Sequence, residues 1–225
     1  MRRRQFTRGG LAAAAWGLPP AAVMALGMDE AAAGVRAALE RGAASAVSLL
    51  GRSDGFLGNP KVRIPLPGML EDAARLLSRL GQKKRVEELV TAMNRAAEQA
   101  VPEARTLLMD AVRALSVEDA VDIVRGGSTS VTDFFARKTR SPLTTRFLPI
   151  VTRATEKVQL AERYNAFASR AAGLGLVKGE DANLQQYVTG KALDGLYLMI
   201  GEEEQRIRAD PLKTGSQLLK QVFGR

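Results

Sequence analysis

Apolar positions along the chain recur mostly at helical spacing. From Asp29 to Leu50, Val35, Leu39, Ala43, Ala46, Val47 and Leu50 fall on one face, and Gly51 is placed to end the run. Leu70, Ala73, Leu76, Leu77 and Leu80 give a second stripe over 69–80, stopped by Gly81. Val86, Leu89, Val90, Met93, Ala97, Ala100 and Val101 give a third, up to Pro102. The spacing predicts two more helices over 103–115 and 117–125, with Ser116 to Asp119 as a capping box and Gly126-Gly127 as the stop.

The second half continues the pattern. "SVTD" at Ser130 to Asp133 opens a helix through "FFARK", and Ser141-Pro142 opens another through "LTTRFLPIVTRATEKV", which Pro149 should kink or divide. A further amphipathic segment covers 160–173, a Gly-rich turn follows, and the longest element spans about 182–208 before a short closing helix. The reading is an all-α chain, one compact domain of about nine or ten helices.

One stretch breaks the helical pattern. "SDGFLGNPKVRIPLPGML", Ser53 to Leu70, holds three prolines and three glycines. Asp54-Gly55 and Asn59-Pro60 are turn signals that leave Phe56 and Leu57 on a short loop. From Lys61, the apolar Val62, Ile64 and Leu66 alternate with Lys61, Arg63 and Pro65, as in an extended segment with one apolar edge. Pro65 and Pro67 donate no backbone hydrogen bond, so it is a poor central strand. The expectation is an extended apolar strap near residues 56–67, covered either by this protein's own core or by a partner's surface.

Composition narrows the chemistry. A chain of 225 residues with 46% apolar and 25% charged residues can bury a core. Cys and His are both absent, which removes thiol nucleophiles, disulfides, the Cys and His ligands of zinc, haem ligation by His and every Ser-His-Asp triad. No cofactor is expected. Of the formal charge of +9, Arg2, Arg3, Arg4 and Arg8 supply four units with no acid before Asp29, leaving +5 for the rest. That excess suits acidic partners or anionic surfaces but is too small to favour nucleic acid.

The first 27 residues read as an export signal: a basic start, an uncharged Ala-rich middle, and small residues for cleavage after Ala25 or Gly27. Arg3-Arg4-Gln5-Phe6-Thr7 resembles a twin-arginine signal, implying transient contact with that export machinery. The remainder, 28–225, has no apolar run long enough for a permanent membrane span and is expected to be periplasmic.

Four constellations are weighed as candidates for chemistry. On the helix that carries "KALDGLYLMIGEEE", Leu184, Val188, Ala192, Leu196 and Met199 or Ile200 form an apolar face, beside a second one of Gly190, Asp194, Tyr197 and Gly201. Lys191 lies three residues before Asp194, within ion-pair reach, and Glu202 to Glu204 read as a solvated surface. Arg137, Lys138, Arg140, Arg146, Arg153 and Lys157 cluster against one acid, Glu156, with Phe134, Phe135 and Phe147 interleaved. Such a cluster suits an anionic headgroup, though buried phenylalanines beneath exposed cations is the plainer reading. "GLGLVKG" at 173–179 lacks the strand and Gly-Lys-Ser/Thr of a phosphate loop and reads as a helix end and turn. Arg95 and Glu98, three apart in "MNRAAEQAVPEA", read as a helix-surface pair.

Taken together, "GFLGNPKVRIPLPGML", "MNRAAEQAVPEA", "VTRATEKV" and "KALDGLYLMIGEEEQRIRADP" resemble the exported bacterial DUF4197 family over about 30–224. The resemblance implies an N-terminal signal segment and a helical body; it implies no activity, cofactor or catalytic residue. The twin-arginine-like start departs from the ordinary secretory signal of many relatives.

The expected function is therefore a non-enzymatic binding protein for an apolar or amphiphilic ligand, held between helices through Phe56, Leu57, Val62, Ile64 and Leu66, with Arg137, Arg140 and Arg146 for an anionic headgroup. The alternative is an interaction protein that docks an envelope partner through residues 56–67. A third reading, an enzyme, would use Lys191, Asp194 and Tyr197 converging in one pocket.

Overall fold

The computed structural model describes residues 20–68, 79, 81, 83–127, 129–156, 161–162, 165 and 183–209. Among the described residues there are six α-helices and no strand: α1 Pro20–Leu50, α2 Lys83–Ala100, α3 Ala104–Arg113, α4 Val117–Arg125, α5 Ser130–Thr155 and α6 Leu184–Ala209. A 3-10 turn, Val101–Glu103, with Pro102 inside it, joins α2 to α3. Apart from residues 79, 161–162 and 165, the helices expected over 69–80 and 160–173 lie outside the described residues, as do the 173–179 turn, the closing helix and residues 1–19 of the export signal. None of the described helices is long and apolar enough to cross a membrane.

The long helices α5 and α6 pack together at the centre. α2 lies against α5 and α6, and α1 covers α3, α4 and α6. The stripes expected from periodicity are the ones buried: Val35, Leu39, Ala43, Ala46, Val47 and Leu50 on α1, Leu89, Met93, Ala97 and Ala100 on α2, and Leu184, Val188, Ala192, Leu196, Met199 and Ile200 on α6. α1 runs through both candidate cleavage points, and its described buried face begins at Ala32.

α4 starts on a complete capping box. Asp119 N–H donates to Ser116 Oγ at 3.0 Å, and Ser116 N–H donates to Asp119 Oδ2 at 3.2 Å. At "SVTD", Ser130 to Asp133, no such box forms. Thr129 is the N-cap of α5, and the Ser130 hydroxyl instead donates to Ile123 O at 3.0 Å, tying α5 back to the end of α4.

The two helices expected on either side of Ser141 are one continuous helix, α5, with Pro142 and Pro149 inside it. Both prolines are exposed, so the carbonyls they leave without an amide partner are on the wet side. Val131, Phe135, Thr139, Leu143, Phe147, Val151 and Thr155 bury one position in four along its whole length. A four-residue repeat drifts by about 40° per step on a 3.6-residue helix, so the buried stripe winds round α5. That lets α5 meet α4, α3, α2 and α6.

The 53–70 interruption is also more tightly folded than an extended strap. Residues 51–58 and 60–62 are turns and bends, with Gly58 N–H bonded to Asp54 O and both Val62 and Arg63 N–H bonded to Asn59 O; the run 63–67 is neither turn nor helix. Asp54 sits at φ 63°, and a Cβ on Gly55 would lie 2.4 Å from Leu50 O, so the first turn requires glycine.

Candidate functional site

The turn segment is fastened by α2. Glu98, 4% exposed, accepts the N–H bonds of Phe56 and Leu57 at one oxygen, both at 3.1 Å, and holds Arg95 at 2.6 Å with the other. Asn94, fully buried one turn earlier, accepts from Ile64 N–H at 2.8 Å and donates to Ile64 O at 3.0 Å. Arg95 also bonds Asp54 and Ser53. The neighbouring anions raise the Arg95 guanidinium further, Glu98 most. The expected helix-surface pair is thus the anchor of a loop.

This anchoring turns the apolar edge inward. Phe56, Val62 and Ile64 are buried, Leu66 is half-buried against the core, and Leu57 is half-buried. Gly195 of α6 receives them: a Cβ there would lie 2.8 Å from the Phe56 ring and 3.2 Å from Val62 Cβ. Tyr187 OH donates to Pro65 O. The cover is therefore this protein's own core, and a partner approaching 56–67 meets mainly polar groups such as Lys61, paired with Glu202 at 2.7 Å, and Arg63.

Of the residues considered for acid-base work, Asp194 and Tyr197 meet at Arg140, and Lys191 does not join them. Asp194 pairs not with Lys191 but with Arg140 of α5, at 2.6 Å. The Arg140 guanidinium also lies 5.3 Å from the centre of the Tyr197 ring, while Lys191 Nζ lies over Tyr187 at 5.7 Å. A planar guanidinium can meet a carboxylate and a ring face together, which explains why Arg140 captures Asp194. Tyr197 is 2% exposed, and its hydroxyl lies 2.9 Å from Thr139 Oγ1, which donates in turn to Phe135 O. The tyrosine is therefore the donor in that pair, and burial raises its pKa above the usual range.

Phe134, Phe135 and Phe147 are fully buried, and Arg137, Lys138, Arg146 and Arg153 stand exposed, which is the plainer of the two readings of that cluster. Lys157 lies outside the described residues. The acidic run is not a solvated surface. Glu202 holds Lys61, Glu203 holds Ser45 and Arg206, and Glu204 is 6% exposed near Ser130.

A concave site on the described surface lies elsewhere. A cleft of about 660 Å³ opens where the end of α5 meets the start of α6, lined by Leu148, Thr152, Glu156, Ala161, Glu162, Asn165, Asn183, Gln185 and Gln186. A chain of hydrogen bonds builds its floor. Leu184 N–H donates to Asn165 Oδ1 at 2.9 Å, Asn165 Nδ2 to Gln185 Oε1 at 2.8 Å, and Gln185 Nε2 to Thr155 Oγ1 at 3.2 Å; Thr155 then donates to Val151 O. Asn183 Oδ1 accepts from Gln186 N–H and caps α6. By contrast, an apolar cavity among α1, α5 and α6 holds only about 20 Å³. Sequence reading missed the cleft's residues because carboxamides obey no spacing rule; the one local signal was Asn183 ahead of a helix. Among the described residues, no group of three or more acids is arranged to hold a metal ion.

Neither the curated proteins nor the solved structures contain a match to the chain. The family model described as "Protein of unknown function (DUF4197)" matches residues 25–224, nearly the whole length, and the chain belongs to that family.

Proposed function

We propose that the protein is exported through a twin-arginine-type signal at residues 1–27 and works in the periplasm as a non-enzymatic binding protein. Its ligand is a small polar molecule taken at the α5–α6 cleft. The observation that carries this reading is the cleft itself: its volume is in the usual range for small-molecule sites, and its floor of side-chain amides is held in place before any ligand arrives. An apolar or amphiphilic ligand has less support. The residues expected to hold its tail, Phe56, Val62 and Ile64, are packed into the core, and the apolar cavity of about 20 Å³ is close to the size of one water. An envelope partner docking at 56–67 would have to use the polar outer edge. The separation of Lys191 from Asp194 and Tyr197, and the burial of Tyr197, leave the catalytic reading less support than binding.

Two measurements test the reading. Replacement of Arg3 and Arg4 by Lys is expected to leave the protein in the cytoplasm on fractionation; unchanged export would remove the twin-arginine assignment. Protein purified from its compartment is expected to respond, by native mass spectrometry and thermal shift, to water-soluble small molecules and not to lipids or fatty acids. The opposite pattern would return the amphiphilic reading to first place.

A further inference from the structure

We propose that the cleft takes a neutral polyhydroxylated molecule, a saccharide or comparable polyol; this rests on the binding reading above. The chemistry of the lining separates the ligand classes. Carboxamides and hydroxyls present both donors and acceptors, and carboxylates only acceptors. Asn165, Asn183, Gln185 and Gln186 contribute four carboxamides, Thr152 a hydroxyl, and Glu156 and Glu162 two carboxylates.

Several of these valences are already spent inside the protein. Asn165 and Gln185 each commit one N–H and one oxygen bond to the floor, and Thr152 donates to Leu148 O. What remains is mixed: the second N–H of Asn165 and of Gln185, the side-chain N–H groups of Asn183, the side-chain amide of Gln186, the acceptor side of Thr152 and both carboxylates. An anion would use the donors and face two carboxylates. An ammonium would use the acceptors and leave the amide N–H groups idle. A hydroxyl donates one bond and accepts others, so neighbouring hydroxyls satisfy both kinds of group together. Gln185, 8% exposed and bonded at both ends of its amide, is fixed in orientation before the ligand arrives, which lowers the ordering cost of binding.

The test uses the full-length chain, labelled with nitrogen-15. It is titrated to about 10 mM with maltotriose and chitotriose as saccharides, putrescine as a cation and succinate as an anion. The readout is the side-chain amide signals of Asn165 and Gln185 and the backbone amide of Leu184. A saccharide is expected to shift these signals, with affinity weakened at least about fivefold by Glu156→Ala and by Gln186→Ala, both exposed positions where the fold tolerates change. Shifts from putrescine or succinate alone would overturn the polyol assignment and leave the cleft as a binding site. Saccharide shifts insensitive to both substitutions would put binding elsewhere and overturn it as well. Silence with all four probes would overturn this assignment and the reading it rests on.

Discussion

Glu98 serves three partners from one buried carboxylate: two loop N–H groups at Oε1 and a guanidinium at Oε2. Its removal leaves the Phe56 N–H buried and unpaired, so Glu98→Ala is expected to lower stability by about 2–4 kcal/mol, read by denaturant unfolding. Arg95, with 35% of its side chain exposed, contributes an ion pair that water screens, and Arg95→Ala should cost clearly less. Equal losses would mean that the ion pair, not the loop anchoring, is the dominant interaction. Gly195 makes the matching argument from the other side. The Phe56 ring lies only 2.8 Å from the point where an added methyl would sit, so Gly195→Ala is expected to destabilise by about 1–3 kcal/mol despite the better helix propensity of alanine. Phe56→Leu should recover part of that loss when combined with it, because the two changes share one contact; strictly additive effects would contradict the packing. Sequence reading saw the apolar alternation of this loop but not what faced it. The available signal was the pair of polar residues one turn apart, Asn94 and Glu98, on the otherwise apolar face of Met93, Ala97 and Ala100.

At the scale of elements, α4 has the clearest local code. Asp119 is held below the usual carboxylate range, first by the Ser116 backbone N–H, then by the Ser116 hydroxyl and the Lys138 and Arg137 cations. A lowered folded-state pKa means stability that is complete above the unfolded Asp pKa and is lost as pH falls through the folded one. Asp119→Ala is therefore expected to cost about 1 kcal/mol at neutral pH and progressively less in acid, where the wild type has lost the same contribution. Unfolding curves for both proteins between neutral pH and strong acid would check this; a difference that persists unchanged in acid would contradict it. This box was legible because capping is local, needing only Ser116 and Asp119 at their spacing. α5 was not legible as one helix, since a proline rule applied along the chain takes no account of which side of the helix is wet. With Pro142 and Pro149 exposed and Phe135, Leu143, Phe147 and Val151 buried, packing against neighbouring helices outweighs the local penalty.

At the scale of the molecule, the apolar stripes were legible because they are periodic, whereas the cleft joins Leu148, Thr152, Glu156 and Asn165 to Asn183, Gln185 and Gln186 and exists only once α5 and α6 meet. The same whole-chain packing bears on export. The described core of α1 starts with Ala32 and Val35, both almost fully buried, and Arg36 reaches across to donate to Leu115 O at 2.8 Å. Cleavage after Ala25 or Gly27 would therefore fall ahead of these contacts and leave α1 able to cover α3, α4 and α6. If residues 1–27 are a removable signal, a chain starting at Met28, which keeps Ala32, Val35 and Arg36, is expected to match the full-length chain in unfolding free energy within about 0.5 kcal/mol. A chain starting at Ala37 loses Ala32, Val35 and the Arg36 bond, and is expected to lose about 3 kcal/mol or more. If the Met28 chain were as damaged as the Ala37 chain, residues ahead of Met28 would belong to the structural body, and the 1–27 segment could not be a removable signal.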